Sequence, residues 1–187
     1  MKASDMKQLV ISEESPLAEV YSEHELQQEK ERWTALLEHF SNEEDVHLFS
    51  APGRTEIGGN HTDHQNGRVL AAAISLDTAG AAVKTDDMMV VYESPGYTVK
   101  PVDLSDLSVR EDEKNTTESL IRGIAAGFVN RGYQIGGVRI FAQSQVLPGS
   151  GMSSSAAFEV LIGTIFSGLY NEGKVSPVEI AIIGQYA

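Results

Sequence analysis

Two stretches of this chain concentrate groups that can do chemistry. Residues 51–67, APGRTEIGGNHTDHQNG, put an arginine, a glutamate, two histidines, an aspartate and two asparagines into one turn-rich segment. Residues 149–158, GSGMSSSAAF, join two glycines and three consecutive serines to the start of an apolar run. The second stretch has the makings of an anion site. A helix N-terminus carries about half a positive charge and several unpaired N–H groups. Glycine lets backbone amides come close to a ligand, and serine hydroxyls add hydrogen bonds or reach a metal ion. No Lys-Ser or Lys-Thr follows the second glycine, so this is not a Walker A loop. The compensating positive charge has to come from Mg²⁺ or from another segment. Taken alone, the stretch reads equally well as a plain helix cap.

The other stretch is the candidate partner. His61, Asp63 and His64 could be metal ligands, but their spacing is not a helical i, i+4 pair and nothing else in the chain supplies a further cluster. Alternating His, Asp and Asn suit a different task better. They offer donors and acceptors for several vicinal hydroxyls, as a sugar presents. The plainer alternative is hydrogen bonding that only stabilises the loop, with Gln65-Asn66-Gly67 as a turn signal.

The elements that must position these groups can be read from periodicity. Residues 1–16 are mixed and polar and are expected to be loosely ordered. From Leu17 to Phe40 the pattern is helical, with Trp33, Leu36, Leu37 and Phe40 on one face and Glu29, Glu31 and Glu38 turned away. VHLFSA predicts a short strand stopped by Pro52 and Gly53. RVLAAAIS and TAGAAVKT predict two strands, MMVVYES a third, and YTVK a strand pairing with it across SPG. A polar connector follows, then a capping box at Asn115 and Glu118. The helix it opens carries Ile121, Ile124, Ala125, Phe128 and Val129 and stops at Gly132. GVRIFAQSQV predicts a strand. MSSSAAFEVLIGTIFSGLY predicts a helix apolar on most of its circumference, hence a central one. Ser176, Pro177 and Glu179 open a last helix that no Gly, Asn or Pro closes before Ala187. On that ground the polypeptide is expected to be cut short within a larger fold.

Composition narrows the function classes. The 187 residues suit one domain, or one domain with an appendage. With no cysteine, disulfides and thiolate chemistry are excluded. A net charge of −13 argues against a nucleic-acid binder and against an anionic membrane surface. Twelve of the 27 acids precede Val46, so the acidity is largely local and says little about the charge of a site further on. There is no apolar run of membrane-spanning length and no signal-peptide core, so a cytoplasmic protein is expected.

Together the two stretches resemble the GHMP family of sugar and small-molecule kinases, and within it the galactokinase branch. The first is similar to that group's Pro-Gly-Arg followed by Ile-Gly-Glu-His-x-Asp-Tyr. The second is similar to its Gly-Leu-Ser-Ser-Ser-Ala phosphate loop. The order and separation of the two also fit, and the resemblance covers about residues 30–187. It implies an α+β fold, the GHMP-kinase N-terminal lobe of the ribosomal protein S5 domain 2-like type. In this chain the lobe would be truncated, an incomplete 17–187 with the second lobe absent and the helix at 17–40 packed outside. It implies the phosphorylation of D-galactose by ATP at the anomeric hydroxyl. Arg54 would be catalytic, beside the reacting hydroxyl and the transferred phosphoryl. Glu56, Asn60, His61, Asp63 and His64 would bind the sugar. Gly149, Ser150, Gly151, Met152, Ser153, Ser154, Ser155 and Ala156 would bind the ATP phosphates, with Ser155 the Mg²⁺ contact.

The chain departs from the family pattern at several points. Asn60 stands where many members have Glu, His64 where many have Tyr, and Glu56 where Asn is usual. Pro148 falls one position later than the family's proline. The family's catalytic aspartate, in a Gly-[Ile/Leu]-Met-Asp-Gln segment, and its acidic Mg²⁺ ligand follow the helix on which this chain ends. The chain by itself is therefore expected to be inactive and to self-associate through exposed apolar surface. Two alternatives stand beside this reading. One is a GHMP kinase for another sugar, such as galacturonate, arabinose or N-acetylgalactosamine. The other is a non-catalytic galactose sensor, which the intact Ser155-Ala156 pair disfavours.

Overall fold

The computed structural model describes residues 1–42, 44–59, 62 and 66–187. A five-stranded mixed sheet lies between two helical layers. The strands are β1 (His47–Gly58), β2 (Leu70–Lys84), β3 (Met89–Glu93), β4 (Val102–Asp103) and β5 (Val138–Ser144), in the order β1-β2-β5-β3-β4. All neighbours are antiparallel except β3 and β5, which are parallel. One layer holds α1 (Ala3–Ile11) and α2 (Glu23–Leu37), joined by a 3-10 turn at Pro16–Glu19. The other holds α3 (Thr117–Asn130), α4 (Ser154–Tyr170) and α5 (Pro177–Gln185). The α+β architecture expected from the sequence is the one present.

Alternation along β2 divides the core in two. Ala79, Ala81 and Val83 face Trp33, Leu36 and Leu37 of α2 together with Ala3 and Val10 of α1. Ala82 belongs to the opposite cluster, with Ile140, Leu161, Phe166 and Ile183. On that side glycines let the helices close up. A Cβ at Gly163 would lie 2.6 Å from Ile180, and one at Gly127 2.6 Å from Ile183. These approaches bury α4 on most of its circumference, as its all-round apolar sequence predicts.

Several local expectations are corrected. Residues 1–16, expected to be loosely ordered, contain α1, whose Ala3 and Val10 are fully buried. Pro52 and Gly53 do not end β1. The strand runs on to Gly58, with its register against β2 shifting between Pro52 and Arg54. RVLAAAIS and TAGAAVKT form one strand, β2. YTVK forms only an isolated bridge, Ser94 to Tyr97, and β4 takes the expected place beside β3. The cap of α3 is Thr116, which accepts from the Ser119 amide at 3.3 Å. Glu118 instead accepts from the Lys100 amide at 2.8 Å. Glu29, expected to face solvent, is buried against the sheet.

Candidate active site

The glycine-serine stretch connects β5 to α4. Just after β5 the chain is tied down locally. The Val146 amide donates to Ser144 Oγ at 3.1 Å, and the Ser150 hydroxyl and amide both donate to the Leu147 carbonyl, at 2.5 and 3.3 Å. Gly149, Gly151 and Ser153 then take positive φ values of 75°, 77° and 59°. A backbone alternating in this way turns N–H groups into a shared concavity suited to an anion. Ser153 is the N-cap of α4 in a left-handed conformation, φ 59° and ψ 58°, and its side chain caps nothing. A serine held there costs about 1 kcal/mol or more. By contrast, Thr116 and Ser176 cap α3 and α5 through their side chains. The amino end of α4 is thus left open. The hydroxyls of Ser153, Ser154 and Ser155 make no hydrogen bond among the described residues.

Arg54 meets this loop from β1. Its amide donates to the Met152 carbonyl at 3.1 Å. Half-buried, Arg54 lines one cavity of about 290 Å³ together with Leu147, Gly149, Gly151, Ser153, Ser154 and Ser155. The bulge between Pro52 and Arg54 lets one strand both pair with β2 and reach the loop. Arg54 thus sets a cationic side chain from another segment beside the loop. No acidic side chain lines this cavity among the described residues.

Glu56 lies two residues further along β1 and is partly exposed. Of the other residues expected to bind a sugar, Asn60, His61, Asp63 and His64 lie outside the described residues. Gly67 donates its amide to the Thr62 carbonyl at 2.7 Å, and Thr62 Oγ1 donates to the Gly59 carbonyl at 2.8 Å. Gly67 is required here, since a Cβ would fall 2.2 Å from Thr62 Oγ1.

A second cavity, about 200 Å³, opens on the other side of Ser154 and Ser155. Tyr92, Tyr97, Val99 and Phe158 form apolar walls, and Thr78, Ser94 and Thr117 add hydroxyls. Tyr92 stands edge-on to Phe158 at 5.1 Å, and burial pushes its hydroxyl up to about 12. These residues were missed from the sequence, where only scattered aromatics hint at them. A larger groove of about 920 Å³ runs between the 107–117 connector, α3 and the end of α5, and none of the predicted site residues lines it.

Known proteins resemble this chain in sequence and in fold. The galactokinase galactose-binding signature matches residues 35–84, and the GHMP kinases N-terminal domain matches residues 119–187. A galactokinase of Streptococcus suis is 37% identical over 140 residues, covering 73% of this chain and 35% of its own length. One from Clostridium tetani is 31% identical over 140 residues, covering 74% and 35%. The chain thus spans about a third of the length of the curated relatives it matches. Lactococcus lactis galactokinase, solved with galactose, superposes with a TM-score of 0.70 at 27% identity, over 86% of this chain and 41% of that one. Methanococcus jannaschii mevalonate kinase shares the fold, with a TM-score of 0.62 at 17% identity over 75% of this chain and 45% of its own. Among the described residues, no helix is long and apolar enough to cross a membrane.

Proposed function

We propose, for a chain that belongs to the galactokinase branch of the GHMP kinase family, that the protein of which it forms the N-terminal part phosphorylates D-galactose at its anomeric hydroxyl with ATP. The observation that carries the reading is the junction of Arg54 with the loop, through the Met152 carbonyl and the shared cavity. Phosphoryl transfer is mostly positioning and charge stabilisation. Loop amides from Gly149 to Ala156 would hold the ATP phosphates, and the Arg54 guanidinium would neutralise the transferred group. It would also favour the ionised form of a neighbouring sugar hydroxyl. Glu56, Asn60, His61, Asp63 and His64 would grip the sugar, and the Tyr92–Phe158 cavity has the flat apolar walls a nucleotide base needs. Ser155 would contact Mg²⁺, which when bound neutralises phosphate oxygens. One serine oxygen and no carboxylate fit a metal carried in with the phosphates rather than a preformed site. Such a kinase would work in the cytoplasm.

Titration of the 187-residue chain with Mg²⁺·ADP and galactose, followed by amide NMR, tests the reading. Shifts at residues 149–156 with nucleotide and at 54–64 with sugar are expected, and perturbations on opposite sides of the molecule would overturn it. Arg54→Ala should weaken nucleotide binding without lowering Tm. A coupled assay on the chain alone should show no galactose-dependent ADP release. Its exposed Val178, Ile182 and Tyr186 should make its mass by light scattering rise with concentration. Asn60 supports a second reading, a kinase for a galactose relative. A thermal-shift screen in which another sugar stabilises the chain more than galactose does would favour it.

A further inference from the structure

The last turns of α2 pack on the sheet through apolar side chains, Trp33, Leu36 and Leu37. Midway along the helix the contact is charged. Glu29, Arg32 and Asp77 are 4%, 9% and 3% exposed, two carboxylates and one guanidinium shut between helix and sheet. Asp77 accepts from Arg32, from Ser50 and, at 2.6 Å, from the Tyr21 hydroxyl. Glu29 accepts from Gln145 Nε2 at 3.0 Å, and the Gln145 amide donates to the Asp77 carbonyl at 2.8 Å. Stability alone is a poor account of this cluster. A buried ion pair is often no more stabilising than apolar side chains of the same size. Arg32 Nε, 2.9 Å from Glu29 Oε2, is off the hydrogen-bonding direction, and Arg32 Nη1 has no partner among the described residues.

Its location suggests another role. Ser50 is on β1, Asp77 on β2, and Gln145 directly follows β5. The three strands are tied together at the level where β1 shifts register and the pairing of β2 with β5 ends. Asp77 pairs with Pro52, and the next paired residue on β1 is Arg54, already shifted in register. Two residues beyond Gln145 comes Leu147, which lines the same cavity as Arg54. We propose that Glu29, Arg32 and Asp77 are positioning residues, which fix where β1 shifts register and where β5 leaves the sheet, and so set Arg54 against the 149–155 loop. That the loop takes a nucleotide rests on the function proposed above; the positioning itself does not.

The test compares three variants of the 187-residue chain. Arg32→Met breaks the cluster, Gln145→Met removes its link to β5 with less risk to folding, and Leu36→Ala is an apolar lesion one turn along the same helix. Residue-resolved hydrogen exchange is read at the Arg54 and Ser150 amides, against Ile165 in α4 as reference. Exchange about tenfold faster at Arg54 and Ser150, with Ile165 unchanged, is expected for both cluster variants. Leu36→Ala should not produce this localised pattern. Mg²⁺·ADP affinity should fall by a similar factor in Arg32→Met and Gln145→Met only. Should Arg32→Met not fold, Gln145→Met decides. Cluster variants that alter Arg54 and Ser150 exchange no more than Leu36→Ala does, at matched loss of Tm, would overturn the proposal. Failure of the wild-type chain to bind Mg²⁺·ADP would refute the nucleotide reading and leave the exchange result to decide the positioning.

Discussion

The two faces of the sheet are covered by helices in different ways. The layer of α3, α4 and α5 is apolar and closely fitted, with Gly127 and Gly163 admitting Ile183 and Ile180 from α5. The layer of α1 and α2 has a comparable apolar stripe but is interrupted by buried charge at Glu29, Arg32 and Asp77. Burial drives the assembly of both, at about 25 cal/mol per Å² of apolar surface. The first layer also buries a cation, Arg122 of α3, but satisfies it with Glu113 and the Asp103 and Asp106 carbonyls, whereas in the second Arg32 Nη1 has no hydrogen bond among the described residues. If the cluster positions Arg54 as proposed, the α1–α2 side sets local geometry as well as burying apolar surface, and the α3–α5 side does chiefly the latter.

Substitutions can break this contrast, and their expected effects differ in size. Phe166→Ala, in the centre of the apolar side, should cost about 3–5 kcal/mol in urea unfolding. Gly163→Ala should cost about 1–2 kcal/mol by the same measurement, because the clash with Ile180 outweighs the gain in helix propensity. On the polar side, Ser50→Ala removes one of the donors to Asp77 and should cost about 1 kcal/mol, since Tyr21 still donates to that carboxylate.

The smallest expected effect has the opposite sign. Glu159, on the apolar side, is held above the ordinary glutamate value of 4.5 by burial. A carboxyl with a raised folded value contributes stability at low pH and loses it as the pH rises through that value. Glu159→Gln should therefore match the wild type in acid and exceed its Tm by about 1–2 °C at neutral pH. Thermal melts of both chains across this range measure the gap, and a gap that widened toward acid would contradict the assignment.

What could be read from the sequence divides along the same line. The stripe of Trp33, Leu36 and Leu37 was legible because apolar residues at helical spacing have one common explanation. Glu29 was misread because a carboxylate belongs in water unless paired, and of its partners only Arg32 is near in sequence. Pro52 was read as a strand end because it lacks an N–H. It is tolerated inside β1 because β1 lies at the edge of the sheet. The alanines of β2 have low strand propensity, so one strand looked like two. At the site, Arg54 and the 149–156 loop were legible because each motif is contiguous. The Tyr92–Phe158 cavity was not, being assembled from β3, the 94–99 turn, α3 and α4.

β2 has one more consequence. Ala79 and Ala81 point to one helical layer and Gly80 and Ala82 to the other, and a methyl added at Gly80 would already touch Leu161 at 3.4 Å. The strand is in effect a thin partition wall. A protein engineer who thickens it anywhere along 79–82 will push furniture in both rooms, whereas the outward side of α2, around Gln27 and Glu31, can be redecorated freely.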